Sequence, residues 1–383
     1  MKKTVAHAIN NYLGVSETFV YEYLTHAENF APVVLTNRVR NADRFPFEPI
    51  VSTEQVKRFS WWWLVNSLAY FFHPNGFFEN WLFLAYQAKQ HKTALIHAHF
   101  GHEGVKMLSV KKKLGVPLVT TFYGFDISRL PQEPDWREDY FKLFEQGDLF
   151  LVEGPYMQRT LENLGCPPHK ISIQQIGIDF SKYFFRDRLF NAQSDKIVLL
   201  FCGRFTEKKG LLVALQVFEK IVQQFPNGEF RIIGDGEQRP DVEKFISQHE
   251  LTDKVKLLGY LSHQACVEEM DQAHVLLQPS QIACDGDSEG GAPTMLIEAQ
   301  AMGLPIISTD HADIPNVLAP GYMQLMASEK DTDSLAENLL MILEDEKLRR
   351  KLIVEGRAFV EKNHEITQLV NQLEEKYTRL LSN

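Results

Sequence analysis

Two loops carry the residue types that phosphate chemistry needs. The first, Gly203-Arg204-Phe205-Thr206-Glu207-Lys208-Lys209-Gly210, follows an apolar run from Lys196 to Cys202 and precedes a helical pattern beginning at Leu211. Arginine offers a planar fork of donors and lysine a compact charge, so Arg204 and Lys209 together can neutralise a diphosphate. Lys208 reads as their solvated neighbour. The second loop, Ser288-Glu289-Gly290-Gly291-Ala292-Pro293-Thr294, opens a helix that carries Glu298. Gly290 and Gly291 let backbone approach a ligand, Pro293 suits a first helical turn, and the free N–H groups of such a turn favour anions. Glu298, one turn further in, can accept hydrogen bonds from ribose hydroxyls. The two loops outline a site for a sugar carried on a nucleoside diphosphate.

Such loops need strands to hold them. Apolar β-type runs at Val5–Ile9, Pro32–Thr36, Ala94–His97, Pro117–Phe122, Leu149–Glu153 and Ile171–Ile176 alternate with helical segments. A second series follows at Ile197–Cys202, Glu229–Ile233, Lys254–Leu258, Val275–Pro279 and Pro305–Thr309. Strands without a polar face, alternating with helices, predict parallel sheets covered on both sides: an α/β chain with two Rossmann-like domains. Leu211, Leu215, Phe218, Val222 and Phe225 recur at helical spacing, and Pro226-Asn227-Gly228 stops that helix. Further helices are predicted over 344–361 and 366–381. The polar stretch around 186–195 sets the division, giving domains 1–185 and 186–365.

Composition narrows the function. At 383 residues, 44% of them hydrophobic and 23% charged, the chain is an ordinary globular one of two-domain size. Its net charge of −10 disfavours a nucleic-acid binder, and the charge is uneven, near +1 for residues 1–185 and −11 for the remainder. Cys166, Cys202, Cys266 and Cys284 have no Cys-x-x-Cys spacing and read as reduced thiols. The start, Met1-Lys2-Lys3-Thr4, lacks a signal peptide's apolar core, which predicts a cytoplasmic address. Side-chain cations and a helix N-terminus can neutralise a diphosphate, and no His/Cys cluster stands at ligand spacing, so no metal or other cofactor is expected. Neither Gly234-Asp235-Gly236 nor the loop at Gly14 completes Gly-x-Gly-x-x-Gly, which disfavours a dinucleotide oxidoreductase.

The set Gly203-Arg204…Lys208-Lys209-Gly210, Gly234-Asp235-Gly236, Glu289…Glu298-Ala299 and Gly303-Leu304-Pro305 resembles the donor domain of the retaining glycosyltransferases of family 4, which have the GT-B fold. The likeness reaches back through Ile176-Gly177-Ile178-Asp179, Ser16-Glu17-Thr18-Phe19 and His97-Ala98-His99-Phe100-Gly101. The resemblance implies two Rossmann-like domains facing across a cleft, with a last helix, 366–383, crossing back to the first. It also implies hexose transfer from a UDP- or GDP-sugar to a lipid-linked or saccharide acceptor in cell-surface polysaccharide synthesis. On the donor side it implicates Arg204, Lys209 and Glu289 in catalysis, with Gly203, Gly234, Asp235, Gly290, Gly291, Ala292, Pro293, Thr294 and Glu298 lining the donor. Backbone groups near Gly259 and Leu261 would meet the base. One departure stands out: the family's two glutamates are usually one residue closer than Glu289 and Glu298. If the glycines do not absorb the extra residue, Glu289 points away and Asp287 or backbone groups take its place.

On the acceptor side, His97, His99 and His102 stand at the C-terminal edge of a strand, where open α/β sheets bind ligands. Alternation puts His97 and His99 on one side, and the resemblance selects His99 as the proton acceptor. Gly14, after the first strand, can face the donor phosphates across the cleft, with Ser16 capping the next helix and contributing to the acceptor site. Tyr123 and Asp126 fall in a family segment that meets acceptor hydroxyls, Tyr123 standing where the family often has histidine. The stretch from Lys57 to Leu64, with Trp61-Trp62-Trp63, continues in aromatic residues to Phe83 but is too interrupted to span a membrane. It reads either as a buried helical hairpin or as a peripheral membrane contact. A nucleotide-sugar epimerase and a non-catalytic nucleotide-sugar scaffold at the membrane are the competing functions.

Overall fold

The computed structural model of the chain describes residues 2–14, 17–58, 60–65, 81–188, 190–192 and 195–382. They form two compact units, Met1–Gly177 with Ile366–Asn383, and Ile178–Glu365. The division thus falls after Gly177, earlier than the polar stretch suggests. Ile178 bridges in parallel to Glu365, and its N–H donates to the His364 carbonyl at 2.9 Å, so 178–185 travel with the second unit.

The first unit holds β1 (Lys3–Tyr12), β2 (Phe30–Val39), β3 (Ile50–Ser52), β4 (Thr93–His99), β5 (Leu118–Thr121), β6 (Leu149–Val152) and β7 (Ile171–Ile173). They stand in the order β3-β2-β1-β4-β5-β6-β7, every pair parallel. Burial on both faces explains the unalternating strands: Leu95, Ile96, His97 and Ala98 of β4 are all buried. The edge strand β3 is a three-residue addition that no apolar run announces. Helices Gly101–Leu114 and Pro134–Gln146 share one core with β4 and β5. Helix Ile366–Leu380 presents Ile366, Val370, Leu373 and Tyr377, at helical spacing, to Val5, Leu95, Val119 and Leu151. Its Glu374 carboxylate accepts the N–H groups of Asn29 (2.9 Å) and Phe30 (3.1 Å).

The second unit holds β8 (Val198–Cys202), β9 (Glu229–Ile233), β10 (Val255–Gly259), β11 (Val275–Gln278) and β12 (Ile306–Ser308), parallel in the order β10-β9-β8-β11-β12. Helix Leu211–Val222 buries Leu211, Leu215, Phe218 and Val222, while Phe225 reaches the same core from beyond the helix end. Arg349, fully buried, donates to the Ile342 (2.9 Å) and Leu343 (3.1 Å) carbonyls that end helix Thr332–Glu344, and its guanidinium stacks on Phe190. Each sheet reverses its strand order once, between β1 and β4 and between β8 and β11, and such reversals open the crevices where α/β sheets bind ligands. Among the described residues no helix is long and apolar enough to cross a membrane.

Candidate active site

In the second unit the loops after β8 and β11 meet at the reversal. Gly210 has φ of +70°, and a Cβ there would collide with the Pro279 carbonyl, so glycine lets the two loops touch. Lys209 then reaches across: its Nζ donates to Glu289 Oε2 at 2.8 Å, while Ser280 Oγ donates to Glu289 Oε1 at 2.9 Å. Lys208 is not the solvated residue its surroundings in sequence suggest. It is 5% exposed and donates to Asp287 Oδ1 and the Ser288 carbonyl, each at 3.0 Å, because a buried ammonium must be paired. Asp287 is thus committed to Lys208, and Glu289 is the carboxylate beside Lys209. Burial alone would raise the Glu289 carboxyl, but the charges of Lys209 and Lys208 and the Lys209 hydrogen bond outweigh it, holding the group below the ordinary carboxylate range. It stays ionised at neutral pH.

The extra residue between the glutamates is absorbed locally. Gly290 takes φ of +73°, and the Gly291 N–H donates to the Glu289 carbonyl at 2.9 Å, a tight turn that keeps the Glu289 side chain on the Lys209 side. Pro293 sits just before helix Thr294–Ala301 instead of in its first turn, and Ala292 is partly buried. Glu298 is 6% exposed, in a helix whose Leu296, Ile297, Ala299 and Ala301 are also buried.

Arg204 is exposed at the mouth of its loop. The other predicted donor residues bind the strand ends to one another. Gly203 N–H donates to the Ile233 carbonyl (3.0 Å) and Gly234 N–H to the Gly259 carbonyl (2.9 Å). Asp235 accepts from the Gly236 N–H and from Arg239 Nη1, each at 2.8 Å. Gly203 and Gly234 therefore spend their own N–H groups on the fold. Leu261 is half-buried against the core.

In the first unit the β1–β4 reversal is filled by imidazoles. His7 and His97 are opposed in register, and His97 and His99 share a face. His7 Nδ1 lies 3.0 Å from His99 Nε2, and His99 Nδ1 lies 2.7 Å from the Tyr123 hydroxyl. His97 Nδ1 meets the Tyr377 hydroxyl and its Nε2 meets Thr121 Oγ1, both at 2.6 Å. Burial, the dominant cause, holds His7 to about 3 and drives His97 and His99 well below the usual imidazole value, so all three are neutral. One ring nitrogen from each lies within 4.8 Å of the others, close enough to weigh a metal ion. Hydrogen bonds just given already employ both nitrogens of His97 and of His99 and Nδ1 of His7, and the trio includes no carboxylate to balance a cation.

His99 is fully buried, so its route outward is through Tyr123, which is 8% exposed and flanked by Phe19 and Phe100. Phe100, between β4 and helix Gly101–Leu114, has φ of +77°, a strained value for a bulky residue of the kind that clusters near functional loops. Asp126, expected to meet acceptor hydroxyls, also clamps the loops around it. It is 0% exposed, and its oxygens take the N–H groups of Gly101 (2.7 Å), Tyr123 (3.0 Å) and Gly124 (3.0 Å). Glu17, not Ser16, precedes helix Thr18–Thr25, and its Oε2 accepts the Gly14 N–H at 2.7 Å; Ser16 lies outside the described residues. His102 is half-buried beside Phe100.

The aromatic stretch divides. Trp62 packs on Phe83 and Tyr86, whereas Trp61 is 74% exposed behind exposed Lys57 and Arg58. Its continuation over 66–80 lies outside the described residues. Sequence reasoning overlooked Ser280, His311 and Glu329. His311 accepts the Glu289 N–H, and only its place after β12, at the same sheet edge, could have flagged it.

A family model for Glycosyl transferases group 1 matches residues 185–359, and one for Glycosyltransferase Family 4 matches residues 25–182. The amylovoran biosynthesis glycosyltransferase AmsK of Erwinia amylovora is 35% identical over 284 residues, 74% of this chain and 69% of AmsK. The putative colanic acid biosynthesis glycosyltransferase WcaL of Salmonella typhimurium is 34% identical over 63% of this chain, and the match spans only 59% of WcaL. Among solved structures, Anabaena HepE in complex with UDP and glucose superposes with a TM-score of 0.78 at 14% identity, covering 98% of this chain and 100% of HepE. Sucrose-phosphate synthase from Thermosynechococcus elongatus gives 0.74 at 17% identity, over 100% of each chain. At those identities the structural likeness shows the fold alone.

Proposed function

The chain belongs to the glycosyltransferases of family 4 and has their GT-B fold, and on that premise we propose that it moves a hexose from a UDP- or GDP-sugar to a lipid-linked or saccharide acceptor with retention at the anomeric carbon. The names of AmsK and WcaL support surface-polysaccharide assembly as the setting, and the ligands named for HepE support a UDP-sugar donor. The observation that carries the reading is the Lys209–Glu289 pair at the β8–β11 reversal.

A cation aimed at the diphosphate beside an ionised carboxylate aimed at the sugar suits glycosyl transfer. Lys209, joined by the exposed Arg204, balances the charge that grows on the departing diphosphate. Glu289 orients the sugar hydroxyls and favours the positive character at the anomeric carbon, and Glu298 holds the ribose. The acceptor oxygen bonds to the anomeric carbon as the bond to the β-phosphate oxygen breaks, on the same face. The acceptor's proton passes to the departing phosphate. His99 acts through the Tyr123 hydroxyl on the acceptor side, and the side-chain cations make a divalent metal dispensable.

The test is calorimetric titration with UDP-, GDP- and ADP-sugars, with and without EDTA, following slow hydrolysis and the anomer released. One donor bound and hydrolysed with retention, unaffected by EDTA, supports the proposal. Inversion, or loss of activity in EDTA, overturns the corresponding part, and failure of every donor favours the scaffold. The exposed Trp61, with Lys57 and Arg58, supports peripheral contact with an anionic bilayer, where tryptophan and basic residues partition together. Trp61→Ser is expected to weaken vesicle binding with little change in stability; unchanged binding removes this surface.

A further inference from the structure

The Glu289 side chain faces Lys209 and Ser280, but its backbone is held from elsewhere. Its N–H donates to His311 Nε2 at 3.1 Å, and His311 Nδ1 lies 2.6 Å from Glu329 Oε1. The other carboxylate oxygen of Glu329 accepts the Ile282 N–H at 2.8 Å. These contacts fix the chemistry of the ring. A backbone N–H can only donate, so Nε2 carries the lone pair, and Nδ1 therefore carries the proton and donates to Glu329. His311 is 2% exposed, which keeps water from substituting for either bond. One carboxylate thus grips the loop at Ile282 directly and at Glu289 through an imidazole.

The grip bears on the glutamate spacing in which this chain departs from the family pattern it resembles. The loop between β11 and helix Thr294–Ala301 has one residue more before Glu298, and the slack is taken up by the turn at Gly290. A turn built on glycine does not fix the direction of the preceding side chain, because glycine permits several backbone conformations. The His311 bond supplies the missing constraint at Glu289 itself. We propose that His311 and Glu329 are positioning residues that set where the Glu289 carboxylate meets the donor sugar. This rests on the function proposed above and assigns neither residue a contact with substrate.

A positioning role predicts a split between nucleotide and sugar. The probes are UDP and UDP-glucose, used with full-length protein and its His311→Leu, His311→Gln and Glu329→Gln variants. His311→Leu is expected to slow UDP-glucose hydrolysis about tenfold or more, as misplaced catalytic groups do, while UDP affinity stays within about twofold. His311→Gln places a carboxamide oxygen near the same N–H and is expected to recover most of the rate. Glu329→Gln, which cannot accept at both ends, falls between them. Equal rates in all variants overturn the proposal. So do parallel losses of UDP affinity, hydrolysis and melting temperature without recovery by glutamine, which mark a purely structural pair. If the wild type binds no nucleotide sugar, the functional reading fails, and the pair is judged by two ligand-free measurements. Nitrogen NMR must show the Nδ1–H tautomer, and amide exchange at Glu289 must be slow in the wild type and fast in His311→Leu; any other result overturns it.

Discussion

The two strand-order reversals use one topology for opposite electrostatic ends. At β8–β11 the side chains are ionised and paired, Lys208 with Asp287 and Lys209 with Glu289, each within 3.0 Å. At β1–β4 they are neutral, three imidazoles and two tyrosine hydroxyls joined by hydrogen bonds and stripped of charge by burial. A site for a diphosphate has to hold positive charge ready, and a carboxylate keeps that charge in place at little cost until the ligand exchanges for it. A surface that meets a neutral hydroxyl needs orientation without a competing charge. The same crevice takes its chemistry from what its loops bury.

The largest expected effect comes from breaking the charged side. Lys209→Ala should lower transfer by about 10²–10³-fold, the scale for losing one preorganised electrostatic partner, and it leaves Glu289 buried with a cation fewer. Adding Glu289→Gln should restore melting temperature but not turnover. Wild-type transfer in the single variant would remove Lys209 from the phosphate site.

Acid should then separate the two units. His7, His97 and His99 are neutral in the folded state but protonate near 6.5 in the unfolded chain, so below that pH the unfolded state binds more protons. Their stabilisation is present above about 6.5 and is lost as pH falls, to about 3 for His7, at roughly 1.4 kcal/mol per histidine per pH unit. Glu289, lowered below the usual carboxylate value, keeps its contribution until the pH falls below that range. Amide protection at Ile96 and Val119, with the intrinsic pH dependence of exchange divided out, is therefore expected to fall between pH 7 and 5 before that at Leu200 and Leu276. Simultaneous loosening would mean that the imidazoles do not control the first unit.

The smallest effect sharpens the neutral side. Tyr123→Phe leaves His99 Nδ1 without its partner at a cost of about 1–3 kcal/mol, read by denaturant unfolding. Its turnover loss should stay under about tenfold if the departing phosphate takes the acceptor's proton. A loss as deep as that of Lys209→Ala would move the base to the first unit.

Much of the fold is legible because it rests on periodicity. Every predicted strand run overlaps a strand, and Leu211 to Val222 form the helix their spacing requires. The edge strand β3 escapes notice, since Ile50-Val51-Ser52 is too short to make a pattern. Side-chain partners are another matter. Lys208 looks solvated beside Glu207 and Lys209, and nothing nearby in the chain points to Asp287, 79 residues on. Asp126 has the composition of a ligand, yet it also takes three backbone N–H groups, which depends on how the loops after β4 and β5 fold back. Motifs show which residues gather at the sheet edge; which of them are already spoken for depends on tertiary contacts that spacing does not encode.

The helix Ile366–Leu380 has a consequence for the order in which the molecule can be made. The first unit exposes Val5, Leu95, Val119 and Leu151 until that helix arrives, and its Glu374 ties down Asn29 and Phe30. Ribosomes release the chain from its beginning, so the intervening unit, Ile178–Glu365, is contiguous and can fold as soon as it emerges. The unit that starts first finishes last, with an apolar face waiting through the synthesis of nearly two hundred residues. A released chain that stops before residue 366 is expected to be a client for chaperones, whereas one that runs through Leu380 covers that face.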